Sequence, residues 1–278
     1  MNRPETPSHL ITIPDVQSSR DERRLAIDRV GIKGLRYPLS FADGDDVHAT
    51  IATCGVYVEL PEERKGTHMS RLVALLEERA MPGAAPLSLA GLRGFVDELL
   101  ARLGAPGGRI EIEFPFFVRK IAPVSGVASL LDYDVRLTAE FAQGEYASTI
   151  GVSAPVTSLC PCSKEISDYG AHNQRSLVTI VVKPRKPVRI AELLRIAEDE
   201  ASCELYGILK RADEKYVTET AYENPKFVED LVRDVATQLA DDPRVARYVV
   251  ASENFESIHN HSAYARIEGP DPVAAGAI

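Results

Sequence analysis

The segment LDYDVRLTAEF alternates without a break. Tyr133, Val135, Leu137, Ala139 and Phe141 fall on one side of an extended chain, and Asp134, Arg136, Thr138 and Glu140 on the other. Successive side chains of a strand point to opposite faces, so this pattern demands a sheet with one face buried and one face wet. The stretches 28–37, 48–60 and 108–123 are rich in β-branched and aromatic residues between turn formers, and read as further strands. Between them, HMSRLVALLEERA (68–80) reads as a short helix and PLSLAGLRGFVDELLARLG as a longer one. In the second, Leu92, Phe95, Val96, Leu99, Leu100 and Leu103 recur at helical spacing, and Gly104 stops it.

After Gly144 the order recurs. EYASTIGVSAPV and SLVTIVVKP read as strands, and IAELLRIAEDEASCELYG (190–207) as a helix. NPKFVEDLVRDVATQLADD reads as a second helix, capped by Asn224 with Pro225 in its first turn. RVARYVVASENF and NHSAYARIEG close as strands. Each half therefore reads strand, strand, helix, helix, strand, strand. This order predicts an α+β protein whose antiparallel sheets carry helices on one face. The division is a loose arm at 1–27, one module at 28–143, a second at 144–268 and a tail at 269–278. Small sheets of this kind have open edges, which oligomerisation can cover.

Composition narrows the function. No apolar run in the 278 residues approaches the roughly 18–20 needed to span a bilayer. The opening MNRPETPSHLITIPDVQ lacks the apolar core of a signal peptide, which predicts a cytoplasmic protein with reduced thiols and no membrane partner. A net charge of −9 argues against a nucleic-acid partner, while leaving room for a local basic pocket and an anionic small ligand.

The chemistry concentrates in APVTSLCPCSKEISDYGAHNQRS, residues 154–176. A Cys-Pro-Cys turn is too strained to close as a disulfide, which leaves Cys160 and Cys162 as metal-bound thiolate, nucleophile or proton-transfer group. Two inert thiols are the competing account, and a polar loop with a histidine nearby weighs against it. Cys54 and Cys203 stand alone, so a four-sulfur zinc site is disfavoured against a mixed Cys/His/carboxylate site with an open position. His172 lies in the same segment. His259 and His261, in HNH, are expected to share one strand face as ligand, acid/base or surface groups. RADEKYVTETAYENPKFVED is crowded with carboxylates. Glu229 stands out on the flank of the apolar stripe Phe227, Val228, Leu231, Val232, where it is expected half-buried and able to grip paired N–H groups such as guanine presents. Lys65, His68 and Arg71 cluster in ERKGTHMSR at a predicted helix start, which suits phosphate. Lys183, Arg185 and Lys186 form a second basic cluster, in VVKPRKP, read as solvated charge. Neither a Rossmann nor a P-loop glycine pattern is present.

Four stretches taken together, APVTSLCPCSKEISDYGAHNQRS, KIAPVSGVASLLDYDV, KGTHMSR and DEKYVTETAYENPKFVED, resemble the GTP cyclohydrolases of type IB. The resemblance runs from DVQSSRDERRLAIDRVGIK to ESIHNHSAYAR. It implies a tandem tunnelling fold (T-fold) assembled as a homotetramer with active sites between subunits. It also implies hydrolysis of GTP to 7,8-dihydroneopterin triphosphate and formate, the first step towards tetrahydrofolate, with a divalent metal (zinc, manganese or iron). By motif, Cys160, His172 and Glu214 match the metal ligands, Cys162 and His259 match proton-handling groups, and Glu229 matches the guanine anchor. Nitrile reductases on the same fold, which use a covalent cysteine, carry an ESLKSLK-type stretch that is absent here. A non-catalytic zinc protein, the remaining alternative, requires a closed four-ligand site.

Overall fold

A computed structural model describes residues 15–269. In chain order the elements are β1 (Ile27–Asp43), β2 (Asp46–Leu60), α1 (Met69–Ala80), α2 (Gly91–Leu103), β3 (Gly108–Ile121), β4 (Ala128–Ala142) and β5 (Glu145–Leu159). Then come α3 (Pro161–Ile166), β6 (Asn173–Pro184), α4 (Ile190–Asp199), the two-residue β7 (Cys203–Glu204), α5 (Arg211–Glu223), α6 (Val228–Asp241), β8 (Val245–Asn254) and β9 (Ala263–Glu268). The strands form one antiparallel sheet ordered β1-β2-β3-β4-β5-β6-β8-β9, with β7 pairing to β5 off that path.

The alternation at 131–141 puts Tyr133, Val135, Leu137 and Ala139 in the core, as read. Ile110, Ile112, Ile150, Val152, Ile180 and Val182 continue that buried face across the neighbouring strands. Helices α2, α4 and α6 cover it with Phe95, Leu99, Leu193, Leu231 and Val235. Burying one such side chain completely contributes about 1.5–3 kcal/mol, and the layer holds dozens. The opposite face is polar. There Arg109 pairs with Glu111 and Glu140, Arg136 with Glu113, and Thr138 bonds Thr149 across the strands. At the β4–β5 turn Gln143 and Gly144 have φ of 54° and 83°, the pair of positive values that suits a tight hairpin between right-twisted strands.

The antiparallel order fixes which connections lie at which end of the sheet. Leu60 closes β2 level with the start of β5, through the pairs Val58–Gly108, Gly108–Phe141 and Phe141–Tyr146. Cys160 leaves β5 at its other end. Fourteen residue steps separate the ends of β5, an extended length of about 46 Å.

A buried ionic cluster joins the first half to the second. Lys120 on β3 donates to both oxygens of Glu198 on α4 at 2.8 Å and also to Glu204 on β7, while Tyr133 on β4 donates to Glu198. Burial raises the Glu204 carboxyl, but the bonds from Lys120 and Tyr206 outweigh it and hold the group below its ordinary range.

Several local expectations change. The helix expected at 190–207 ends at Asp199, because Cys203 and Glu204 are captured by β5 and Ser202 accepts the Leu159 N–H. The acidic stretch from Arg211 is a helix, α5, whose only buried side chains are Asp213 and Ala221, so no apolar stripe announced it. Asn224 ends α5 rather than starting α6. Its N–H donates to Thr220 O and its side-chain amide to Ala201 O, while Phe227 caps α6. The arm is not loose where it is described: Lys65 and Gly66 donate to Ser19 and Gln17, and Asp21 donates to Glu63. The rest of the arm, 1–14, and the tail beyond Gly269 lie outside the described residues.

Candidate active site

Leu159, the last residue of β5, is held on both sides. Its N–H donates to Ser202 Oγ at 3.1 Å and its carbonyl accepts from Lys226 N at 3.1 Å. This fixes the exit direction of Cys160, which becomes the N-cap of α3 with Pro161 in the first position, where a missing N–H costs nothing. Cys160 Sγ accepts from Ser163 N at 3.5 Å, its carbonyl accepts from Ser163 Oγ and Lys164 N, and its own N–H donates to His172 O at 3.2 Å. The last bond is the next rung after the Leu159–Asn173 pair, so Cys160 and His172 face each other across the β5–β6 ladder. Cys160 is half-buried and Cys162, one turn position on, is exposed.

His172 is oriented from both ends. Its N–H donates to Ser163 Oγ at 3.2 Å, and its Nδ1 lies 3.0 Å from Ser257 Oγ in the loop after β8. With Nδ1 engaged, Nε2 is the nitrogen left for a metal or a proton, the usual arrangement for a histidine ligand steadied from behind. That loop is tied down by Phe255 N donating to Arg175 O. It also carries His259 and His261, which sit in the loop rather than on a strand face. Their rings nevertheless stack, with centroids 5.2 Å apart and planes at 16°.

The carboxylates are placed differently. Asp213, in the first turn of α5, accepts from Lys210 N, Val124 N, Ser125 N and Ser125 Oγ at 2.6–2.8 Å. Burial opposes its ionisation, yet these bonds prevail and keep the carboxyl far below its ordinary range. This clamp sets the adjacent Glu214, which is exposed and has no ion-pair partner among the described residues. At its other end α5 meets α3, where Lys164 donates to Tyr222 O and stands 4.4 Å from the Tyr222 ring. Glu214 lies eight residues from Tyr222, about 12 Å along the helix. Among the described residues no three His, Cys, Asp or Glu side chains converge as a metal-holding group. The backbone bond thus joins Cys160 to His172, and Glu214 does not converge with them as a ligand set. Glu229, three residues beyond the Lys226–Leu159 bond, points from the first turn of α6 and is exposed rather than half-buried.

The Lys65–Arg71 cluster stands at the other end of the sheet. A cavity of about 260 Å³ is lined there by Arg64, Thr67, His68 and Arg71, with Ser18 from the arm and Leu103. His68 is the residue before α1, and its Nε2 lies 3.3 Å from the Asp15 carboxylate and 3.4 Å from Ser18 Oγ. Lys65 is exposed and not part of this lining. Arg64, which the sequence reading passed over, anchors the wall by donating to Leu103 O at 3.0 Å. Ser163, Ser257 and Gln174 were also missed. The side-chain oxygen of Gln174, two residues after His172, is enclosed without a hydrogen-bond partner. Strand alternation from the buried Ser176 and Val178 could have placed Gln174 and His172 on the core-facing side. Cys54 and Cys203 are core thiols whose pKa burial pushes up to about 11, so they take no part.

A sequence model of the family described as "Type I GTP cyclohydrolase folE2" matches residues 13–265. The chain belongs to that family. It is 58% identical over 271 residues to GTP cyclohydrolase FolE2 1 of Dechloromonas aromatica, covering 97% of this chain and 99% of the relative. It is also 58% identical to FolE2 of Neisseria meningitidis serogroup B over 259 residues, covering 93% and 86%. Solved structures that share its architecture include uricase from Arthrobacter globiformis, with a TM-score of 0.50, 9% identity, and 89% and 97% of the two chains covered. A hyper-thermostable variant of a uricase gives 0.51 and 11%, with 88% and 91% covered. At that identity the likeness establishes the fold alone: this FolE2 family member is a T-fold protein. No helix among its described residues is long and apolar enough to cross a membrane.

Proposed function

We propose that the chain is a GTP cyclohydrolase of type IB, a cytoplasmic hydrolase that converts GTP and water to 7,8-dihydroneopterin triphosphate and formate at the entrance to folate biosynthesis. The observation that carries this reading is the Cys160–His172 pair, set across one ladder rung with Ser257 behind the imidazole, in a chain of this family. A thiolate and an imidazole nitrogen suit zinc, manganese or iron, and Glu214 is the proposed third ligand. When bound, such a metal supplies hydroxide near neutral pH by acidifying its water. His259 and Cys162 handle protons. Protonation at N7 of the purine makes C8 a better electrophile, and the group that gives it must regain a proton before the next turnover. Glu229 accepts two N–H bonds from guanine and holds the base in one orientation. The start of α1, with His68, Arg71 and Lys65, receives the triphosphate.

These two groups of residues stand at opposite ends of a long sheet, with β3 and β4 between β2 and β5. A nucleotide touching both must therefore bridge two copies of the chain. This supports a homotetramer of two-module chains (28–143 and 144–268) with active sites between subunits, in which assembly completes the ligand set around Cys160.

The test is direct. Protein supplied with GTP and zinc or manganese should yield a pterin that fluoresces after oxidation, and Cys160→Ala should abolish it. Unchanged turnover in that variant rejects the role of the thiolate. Glu229→Ala should chiefly weaken binding of guanine nucleotides, and normal affinity rejects the anchor.

A further inference from the structure

The second basic cluster, at 183–186, borders a cavity. A space of about 420 Å³ opens between α2, the end of β6 and the tip of the β1–β2 hairpin. Its walls are apolar, with Phe41, Leu89, Ile150 and Val188 among them, and its rim carries Arg93, Arg185, Lys186 and Arg189. Arg189 pairs with Glu192 at 3.3 Å. Arg93, Arg185 and Lys186 have no carboxylate partner among the described residues, in a chain of net charge −9. Asp43, the carboxylate in the wall, is already used: it accepts from Ile190 N and Ala191 N at 2.8 and 3.1 Å and so occupies the start of α4. The ring of Tyr146, in the same wall, lies 5.3 Å from the Arg93 guanidinium.

Cations left unpaired above an apolar hollow favour an anion with an apolar body. We propose that this cavity binds a small amphipathic anion, an aromatic or branched apolar group carrying one phosphate or carboxylate. The body lies against Phe41, Leu89 and Ile150, and the charge meets Arg185 and Lys186. The site is separate from the proposed nucleotide site. Its residues on β5, Tyr146 to Ile150, precede Cys160 by ten or more positions, about 33 Å of extended strand. Along α2, Arg93 is ten residues from Leu103 of the His68 cavity, about 15 Å.

The probes are 1-naphthyl phosphate and 1-naphthoate, with inorganic phosphate and 1-naphthol as single-feature controls. They are titrated by calorimetry into the full-length protein in the presence of saturating GTP analogue. The expected result is one site per chain for the two naphthyl anions and at least about tenfold weaker binding of both controls. Arg185→Glu with Lys186→Glu should weaken the anions about tenfold or more. Tyr146→Phe should leave their affinity within about twofold and the melting temperature of the free protein the same or higher, because the enclosed hydroxyl does not face the ligand. No binding of the anions, binding that the GTP analogue displaces, or unchanged affinity in the Arg185→Glu, Lys186→Glu variant overturns the proposal.

Discussion

Two hairpin connections of the same sheet have opposite designs. Between β1 and β2 the chain turns through Gly44 and Asp45 between the paired Asp43 and Asp46, with Gly44 at φ 67°. Between β5 and β6 the last paired residues are Leu159 and Asn173, and everything from Cys160 to His172 is inserted. The first turn spends its polar side chain on structure, since Asp43 caps α4. The second spends its polar groups on aiming a sulfur and an imidazole. A sheet of this kind tolerates insertion at a hairpin because the ladder on either side already fixes the register, so chemistry can be added without rebuilding the core.

That contrast can be broken by crossing the two outcomes. In the long connection, Cys160→Ala should lower GTP turnover by on the order of a hundredfold or more while the melting temperature barely moves. A folded, fully active variant would erase the distinction. Next, Ser257→Ala removes the group behind His172 Nδ1, and kcat should fall about tenfold with little change in KM, measured by pterin fluorescence. In the short turn the effect should be on stability alone. Gly44→Ala forces a side chain into a left-handed conformation and sets a Cβ 3.1 Å from Arg189 Cδ, costing about 1–2 kcal/mol in urea denaturation with kcat unchanged. Asp213→Asn loosens the turn bearing Glu214 and should lower the melting temperature at pH 7 by about 2–4 °C. Its carboxyl is held below the ordinary 3.8, so its stabilisation is present above that pH and is lost as pH falls through the depressed value. The gap between wild type and variant should therefore close on acidification. The smallest effect is a ranking of thiols. At pH 8 iodoacetamide should modify Cys160 and Cys162 well before Cys54 and Cys203, which burial keeps protonated up to about 11.

Much of the sheet was legible because its signals are local. Period-two alternation at 131–141 and the apolar stripes of α1, α2 and α6 are written in short windows, and each window agreed with the fold. The failures share a cause. Residues 200–207 have helical spacing, yet the helix stops at Asp199 and strand pairing with β5 takes Cys203 and Glu204, and α5 has almost no buried face to betray it. At the candidate site, residue type and motif pointed to Cys160, His172, Glu214, Glu229 and His259. The order of closeness among them was invisible, because it depends on which ladder rung and which helix end each occupies.

By itself the sequence determined an antiparallel sheet with one covered face, because side-chain alternation and helical periodicity are properties of neighbouring residues. Only the tertiary structure decided that a backbone bond joins Cys160 to His172 while Glu214 does not converge with them, that Ser257 reaches back to the imidazole, and that VVKPRKP rims an apolar cavity. Those relations join residues far apart in the chain, and they are settled by strand register and packing, which no short window contains.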